Sequence, residues 1–292
     1  MSKIPIGDFP FGEEEREALQ RVIRGGRISE GAEVRAFEDE FAQWLGVEHC
    51  VVTSSGTSAL MVGLRALVEC GRFPGLSDGA RVLVPALTFA ATANAVTLAG
   101  FRLLFGDVQP GTMGLDPQWV AREACEVVLP VHLMGYAADI KGILDAAPKA
   151  IVCEDASEAH GTTVVGRKVG TFGAFSAFSF YIAHTIQAGE MGAVCTNCDG
   201  IAIAARRLKA HGMVCACRKC VRGVGQCPHM VDSDPRFTHL YPGYNAKANE
   251  FVAALARVQL GKVEYNVKRR RWNAVHLYGM VRVLAEEGLV EP

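Results

Sequence analysis

From about residue 48 the chain alternates short β-branched or apolar runs with longer segments of helical spacing. HCVVTS, ARVLVP, FRLLFGD, EVVLPVHL, AIVCED and GAFSAFSF read as strands, several of them apolar at successive positions as in a strand covered on both faces. Between them lie SALMVGLRALVEC, ATANAVTLAG, DPQWVAREAC and ADIKGILDAAP, with helical lengths and apolar spacing. This alternation predicts an α/β fold with a mostly parallel sheet sandwiched by helices. Ligands then belong at the carboxyl ends of strands. Residues 1–25 read as an N-terminal arm and helix, 26–212 as a large domain, and 213–245 as a Cys-rich excursion without apolar periodicity. Residues 246–292 read as a long helix, interrupted near Gly261, leading into a shortened small domain.

Val82 to Phe101 runs twenty residues without a charge, the length of a membrane span. Pro85, Thr88, Thr92, Asn94 and Thr97 interrupt it, so a buried strand followed by a small-residue helix accounts for it better. The N-terminus has no basic region followed by an apolar run, and a cytoplasmic protein is expected. Half the residues are apolar and 21% are charged, which excludes disorder as a global description. A formal net charge of −1 gives no long-range field to gather nucleic acid. The basic run Lys268 to Arg271 then reads as a solvated helix face.

Three segments carry candidate chemistry. Ser54, Ser55, Gly56, Thr57 and Ser58 stand between a strand and a helix, where free backbone N–H groups make an anion cradle. The same residues also serve as helix caps with no ligand present. Glu154 and Asp155 end a buried strand, where an acid can hold a cationic nitrogen or cap the next helix. His184 and Glu190 lie in a glycine-punctuated turn after FSF, a place where a histidine is either structural or catalytic.

Taken together, GRISEGAEVRAFEDEFAQWLGV, SSGTSAL, VPALTFAATANAV, the aspartate of CEDASEAHG, FSFYIAH…GEMGAV and GYNAKANEF resemble the DegT-type nucleotide-sugar aminotransferase family. The resemblance spans roughly residues 5 to 270 and implies the aspartate-aminotransferase-like fold (fold type I) and pyridoxal phosphate, bound by the large domain. It implies that Gly56, Thr57 and Ser58 hold the cofactor phosphate, with Ser179 adding a contact. Phe89 would stack on the pyridine ring, and Asp155 would pair with the ring nitrogen so that electrons can flow into the ring. Glu158 stands where the family usually has Gln, near the ring hydroxyl. Asn245 would reach the cofactor from a second subunit, which implies a homodimer with shared active sites.

Family members that transaminate have a lysine where this chain has His184. An imidazole cannot anchor the cofactor covalently, but it remains a base with an ordinary pKa near ~6.5. His184 and the residues before it are similar to the branch of sugar 3-dehydratases acting on nucleotide-linked 4-keto-6-deoxy sugars. That branch implies pyridoxamine phosphate held noncovalently, His184 as the base, and loss of the C3 hydroxyl as water. The alternatives are an aminotransferase whose lysine function is met elsewhere, Lys168 being the nearest upstream, and a catalytically silent dimer that binds metal. Met191 occupies a position that is usually glycine and is expected to be strained if the turn demands φ > 0 there.

Cys215, Cys217, Cys220 and Cys227 form C-x-C-x2-C-x6-C, a thiol set suited to zinc or an iron–sulfur cluster in a reducing compartment. One dehydratase subgroup carries a [2Fe–2S] cluster in the corresponding region and takes electrons from a reductase partner. Its pattern begins two residues after the ring-binding aspartate, where this chain has Ser157. Without such a cluster, glutamate as amino donor would regenerate pyridoxamine phosphate. The other six cysteines read as buried strand and helix thiols.

Overall fold

The computed structural model describes residues 9–218, 227, 234–235 and 237–289. Its strands are β1 (His49–Thr53), β2 (Arg81–Pro85), β3 (Arg102–Gly106), β4 (Val127–Val128), β5 (Ile151–Val152), β6 (Glu154–Asp155), β7 (Thr163–Val164), β8 (Arg167–Lys168), β9 (Ser176–Ser179) and β10 (Gly192–Thr196). One half of the sheet is parallel, in the order β3-β2-β4-β5. The other half is mixed, in the order β1-β10-β9-β6, with β10 antiparallel to both neighbours.

The two halves meet in the extended run 151–155. On one side Cys153 N donates to Val128 O and Asp155 N to Pro130 O, and on the other Glu154 N donates to Phe175 O. The shared run thus bonds to both halves of the sheet, as buried backbone requires. β7 and β8 form a separate hairpin.

The first helices are α1 (Glu13–Gly25) and α2 (Ala32–Leu45), followed by α3 (Gly56–Glu69), α4 (Ala90–Leu98), α5 (Pro117–Arg122) and α6 (Ile140–Ala146). α7 (Asp199–Leu208), α8 (Glu250–Gly261) and α9 (Val263–Glu286) complete them. α2 buries Val34, Phe37, Phe41 and Leu45, spaced to share one helical face, against α8 and the aromatic side of the sheet. α3 and α7 bury Leu60, Leu64, Leu67, Ile201 and Leu208 against the opposite face. α5 and α6 close a third cluster around Leu83, Leu115, Ile140 and Ile143.

The charge-free run from Val82 divides between β2 and α4, and among the described residues no helix is long and apolar enough to cross a membrane. The long C-terminal helical stretch is interrupted at Lys262, one residue beyond Gly261. The glycine-punctuated turn that holds His184 and Glu190 leads into strand β10 at Gly192. The strain expected at Met191 does not arise, because Gly189 takes the left-handed conformation (φ 89°) and Met191 is fully buried in the core. Among the described residues Cys215, Cys217 and Cys227 form no disulfide, and Cys220 lies outside the described residues.

Candidate active site

A cavity of about 390 Å³ opens where the carboxyl ends of the strands meet the start of α3. Its wall includes Ser55, Gly56, Thr57, Phe89, Asp155, Ser157, Glu158, Ser179, Tyr181, His184 and Glu190.

The α3 end is built by a reciprocal cap. Ser55 Oγ accepts from Ser58 N at 3.1 Å while Ser58 Oγ accepts from Ser55 N at 2.9 Å. Ser58 also contacts Ser54 Oγ at 3.1 Å and lies off the cavity wall, so its hydroxyl is taken up by the cap. Gly56 and Thr57 are left on the wall at the positive end of a 14-residue helix. Two glycines allow this arrangement. A Cβ on Gly56 would stand 2.5 Å from Ser179 Cβ, and one on Gly192 would stand 2.2 Å from Ser55 O. The loop can lie against β10 and β9 only because both side chains are missing.

Asp155 is 3% exposed and is held by three hydrogen bonds. Thr92 Oγ1 donates to its Oδ2 at 2.8 Å, and Ser157 donates to Oδ1 through its hydroxyl at 2.7 Å and its N–H at 3.2 Å. Burial pushes this carboxyl above its usual range, and the donors from Ser157 and Thr92 oppose that. A desolvated carboxylate with neutral donors and open space before it suits a cationic ligand nitrogen. Phe89, the residue before α4, is 75% exposed at the mouth, as a ring that stacks on a visiting ring must be. Glu158 Oε2 accepts from Met134 N at 2.5 Å. An anion-binding helix start, a buried acid and an exposed aromatic fit a phosphorylated pyridine.

Glu154 behaves differently from its neighbour. It is fully buried and accepts from Gly170 N (2.7 Å), Phe172 N (2.6 Å) and Gly173 N (2.8 Å), with His132 Nε2 at 3.1 Å. It ties down the 170–173 loop and takes no part in the cavity.

His184 stands on the same wall, in the loop after β9, its N–H bonded to Tyr181 O at 2.9 Å. Arg270 of α9 donates to its carbonyl oxygen at 3.2 Å. Burial lowers the imidazole pKa, Asp155 raises it and Arg270 lowers it, with a net fall. Among the described residues the cavity wall contains no lysine. Lys168 is committed elsewhere, bonded to Trp44 O with its ammonium 4.6 Å from the Trp44 ring centroid.

Asn245 is not on this wall. It lines a second cavity with Arg27, Arg35, Arg206, Lys209 and Lys247. Thr92 was not apparent as a site residue from sequence, although Thr88 and Thr92, four apart in an apolar helix and 2.8 Å from each other, are its signal. Tyr181 was missed as well.

Comparison with known proteins gives the class first: the fold is the pyridoxal-phosphate type I, aminotransferase-like α/β fold. A histidine-to-asparagine variant of GDP-4-keto-6-deoxymannose-3-dehydratase (ColD), solved with bound GDP-perosamine, superposes with a TM-score of 0.85 at 25% identity, covering 96% of this chain and 73% of that one. The Escherichia coli GDP-4-keto-6-deoxy-D-mannose-3-dehydratase with bound hydrated pyridoxal phosphate gives 0.83 at 27% identity, covering 94% and 71%. The GDP-perosamine synthase of Vibrio cholerae is 32% identical over 274 residues, covering 92% of this chain and 68% of that protein. Residues 11–288 match the model of the DegT/DnrJ/EryC1/StrS aminotransferase family, and the chain belongs to that family. It spans 60% to 68% of the length of the curated relatives it matches.

Proposed function

We propose that this chain is a pyridoxamine-phosphate-dependent 3-dehydratase of a nucleotide-linked 4-keto-6-deoxyhexose, with His184 as its acid–base group. The observation that carries this reading is the cavity wall, which among the described residues offers an imidazole and no primary amine. When bound, the cofactor supplies an amine for the sugar ketone and a ring that accepts electrons. The backbone at Gly56 and Thr57, with Ser179, would hold its phosphate, and Phe89 would cover one ring face. Asp155 would keep a proton on the ring nitrogen, and Glu158 would stand near the ring hydroxyl. His184, unprotonated at neutral pH because of its burial, takes a proton in the cavity and returns it to the departing C3 oxygen, which leaves as water.

Transamination of the same substrate class is the second reading, and the V. cholerae relative's name, GDP-perosamine synthase, favours it. That reaction needs a lysine at the cofactor, and Lys168 is held at Trp44. In the dehydratase reading a second copy of the chain brings Asn245 to the cofactor. Glutamate is the amino donor unless the cysteine set binds iron and sulfide, in which case a reductase supplies electrons.

Borohydride reduction of the protein loaded with pyridoxal phosphate, followed by peptide mass spectrometry, separates the readings. The dehydratase reading expects no lysine-linked cofactor and loss of water from the keto sugar with glutamate present. A labelled lysine, or amino sugar as the main product, rejects it in favour of transamination.

A further inference from the structure

His160 stands beside His184, and among the described residues neither of the His160 ring nitrogens has a hydrogen-bond partner. His160 is 3% exposed, and both of its ring nitrogens are buried without a hydrogen bond. Phe41, Phe178 and Phe180 surround it at centroid distances of 6.4, 5.4 and 5.5 Å, and His184 lies at 6.3 Å with the rings 41° apart. Buried polar side chains are nearly always bonded, and each group left unmade costs about 1–3 kcal/mol. A phenyl ring would fill the same space among three phenylalanines without that cost. The charged groups facing the pair are Asp155 from β6 and Arg270 from α9.

We propose that His160 is a positioning residue for His184, the two imidazoles being joined through one bridging water or, after a small rotation of His184, by a direct N–H···N bond. A direct bond puts imidazole centroids about 5 Å apart and a single water about 6–7 Å apart, taking bonds of about 2.9 Å. The observed separation of 6.3 Å lies in the range for a single bridging water. Burial holds the His160 pKa down at about 3, so this ring stays neutral and does not compete with His184 for the proton. His184 then presents one fixed nitrogen to the cavity. When that nitrogen gains a proton, the N–H on its other side remains bonded toward His160, and no proton is passed on.

The inference rests on the reading of His184 as the acid–base group, and the test keeps the two apart. Long-range ¹H–¹⁵N correlation of histidine-labelled protein reads the His184 tautomer directly, with no cofactor or turnover. The expected result is one tautomer in the native chain, a mixture in His160→Phe, and the native tautomer in His160→Gln, which keeps a donor and an acceptor. Turnover in His160→Phe should fall by about tenfold to a hundredfold at unchanged KM, the range for groups that orient a working imidazole. Unchanged His184 nitrogen shifts in His160→Phe overturn the inference. If that variant does not fold, a mixed His184 tautomer in His160→Gln overturns it equally. Full turnover in His184→Ala would defeat the functional reading instead, and would leave the tautomer result standing.

Discussion

The floor of the cavity around Asp155 and its back wall around His160 are five residues apart in sequence and use their polar atoms in opposite ways. On the floor every group is engaged: three donors converge on Asp155, and the Ser55 and Ser58 hydroxyls cap each other. On the back wall two imidazoles lie side by side, and among the described residues neither ring nitrogen of His160 is bonded. A saturated network fixes a geometry, since moving any member leaves others unpaired. An imidazole outside such a network, as His184 is, keeps capacity for a proton, which is what a group that changes state in each cycle requires.

Four experiments bear on this contrast. The largest effect is expected on the back wall: His184→Ala should lower kcat by about 10²- to 10⁴-fold, with cofactor affinity by equilibrium dialysis near native. Floor substitution should show the reverse emphasis. Asp155→Asn keeps the shape but removes the charge, and should cost about 10²- to 10³-fold in kcat together with weaker cofactor binding in a titration followed by absorbance. If Asp155→Asn were neutral, the floor would not be holding a cation.

Gly192→Ala drives a Cβ to within 2.2 Å of Ser55 O and should cost about 1–3 kcal/mol, read as a lower midpoint in denaturant. The most gradual effect is in pH dependence. Between pH 6.5 and about 3 the unfolded chain protonates His160 and the folded chain does not, so stability falls as pH falls. The contribution is about 1.4 kcal/mol per pH unit in that window, and His160→Phe should remove it from the acid side of a melting-temperature profile. An unchanged acid slope would show that the native ring is already protonated.

Much of this architecture is legible before any coordinates. The strand–helix alternation, the helix start at Ser55 and Gly56, the acid after AIVC and the break near Gly261 are local signals, each set by residues within a few positions. What is not legible depends on residues distant in sequence. β10 hides in a glycine-rich run because its identity as an inserted antiparallel strand comes from pairing with β1, some 140 residues earlier. Ser58 looks like a phosphate ligand until the cap shows its hydroxyl already bonded. Nothing around CEDASEAHG announces that His160 is enclosed by Phe41 and by Phe178 and Phe180, because burial is a property of the assembled layers.

Glu154 and Asp155 are consecutive carboxylates on opposite faces of the run shared by the two halves of the sheet. Sliding that run by a single position would exchange them, pushing the loop anchor toward the ligand and the cation partner into the interior. The accuracy of the chemistry is thus inherited from main-chain alignment, and a misthreaded copy of this protein would fail as a fold and as a catalyst at the same step.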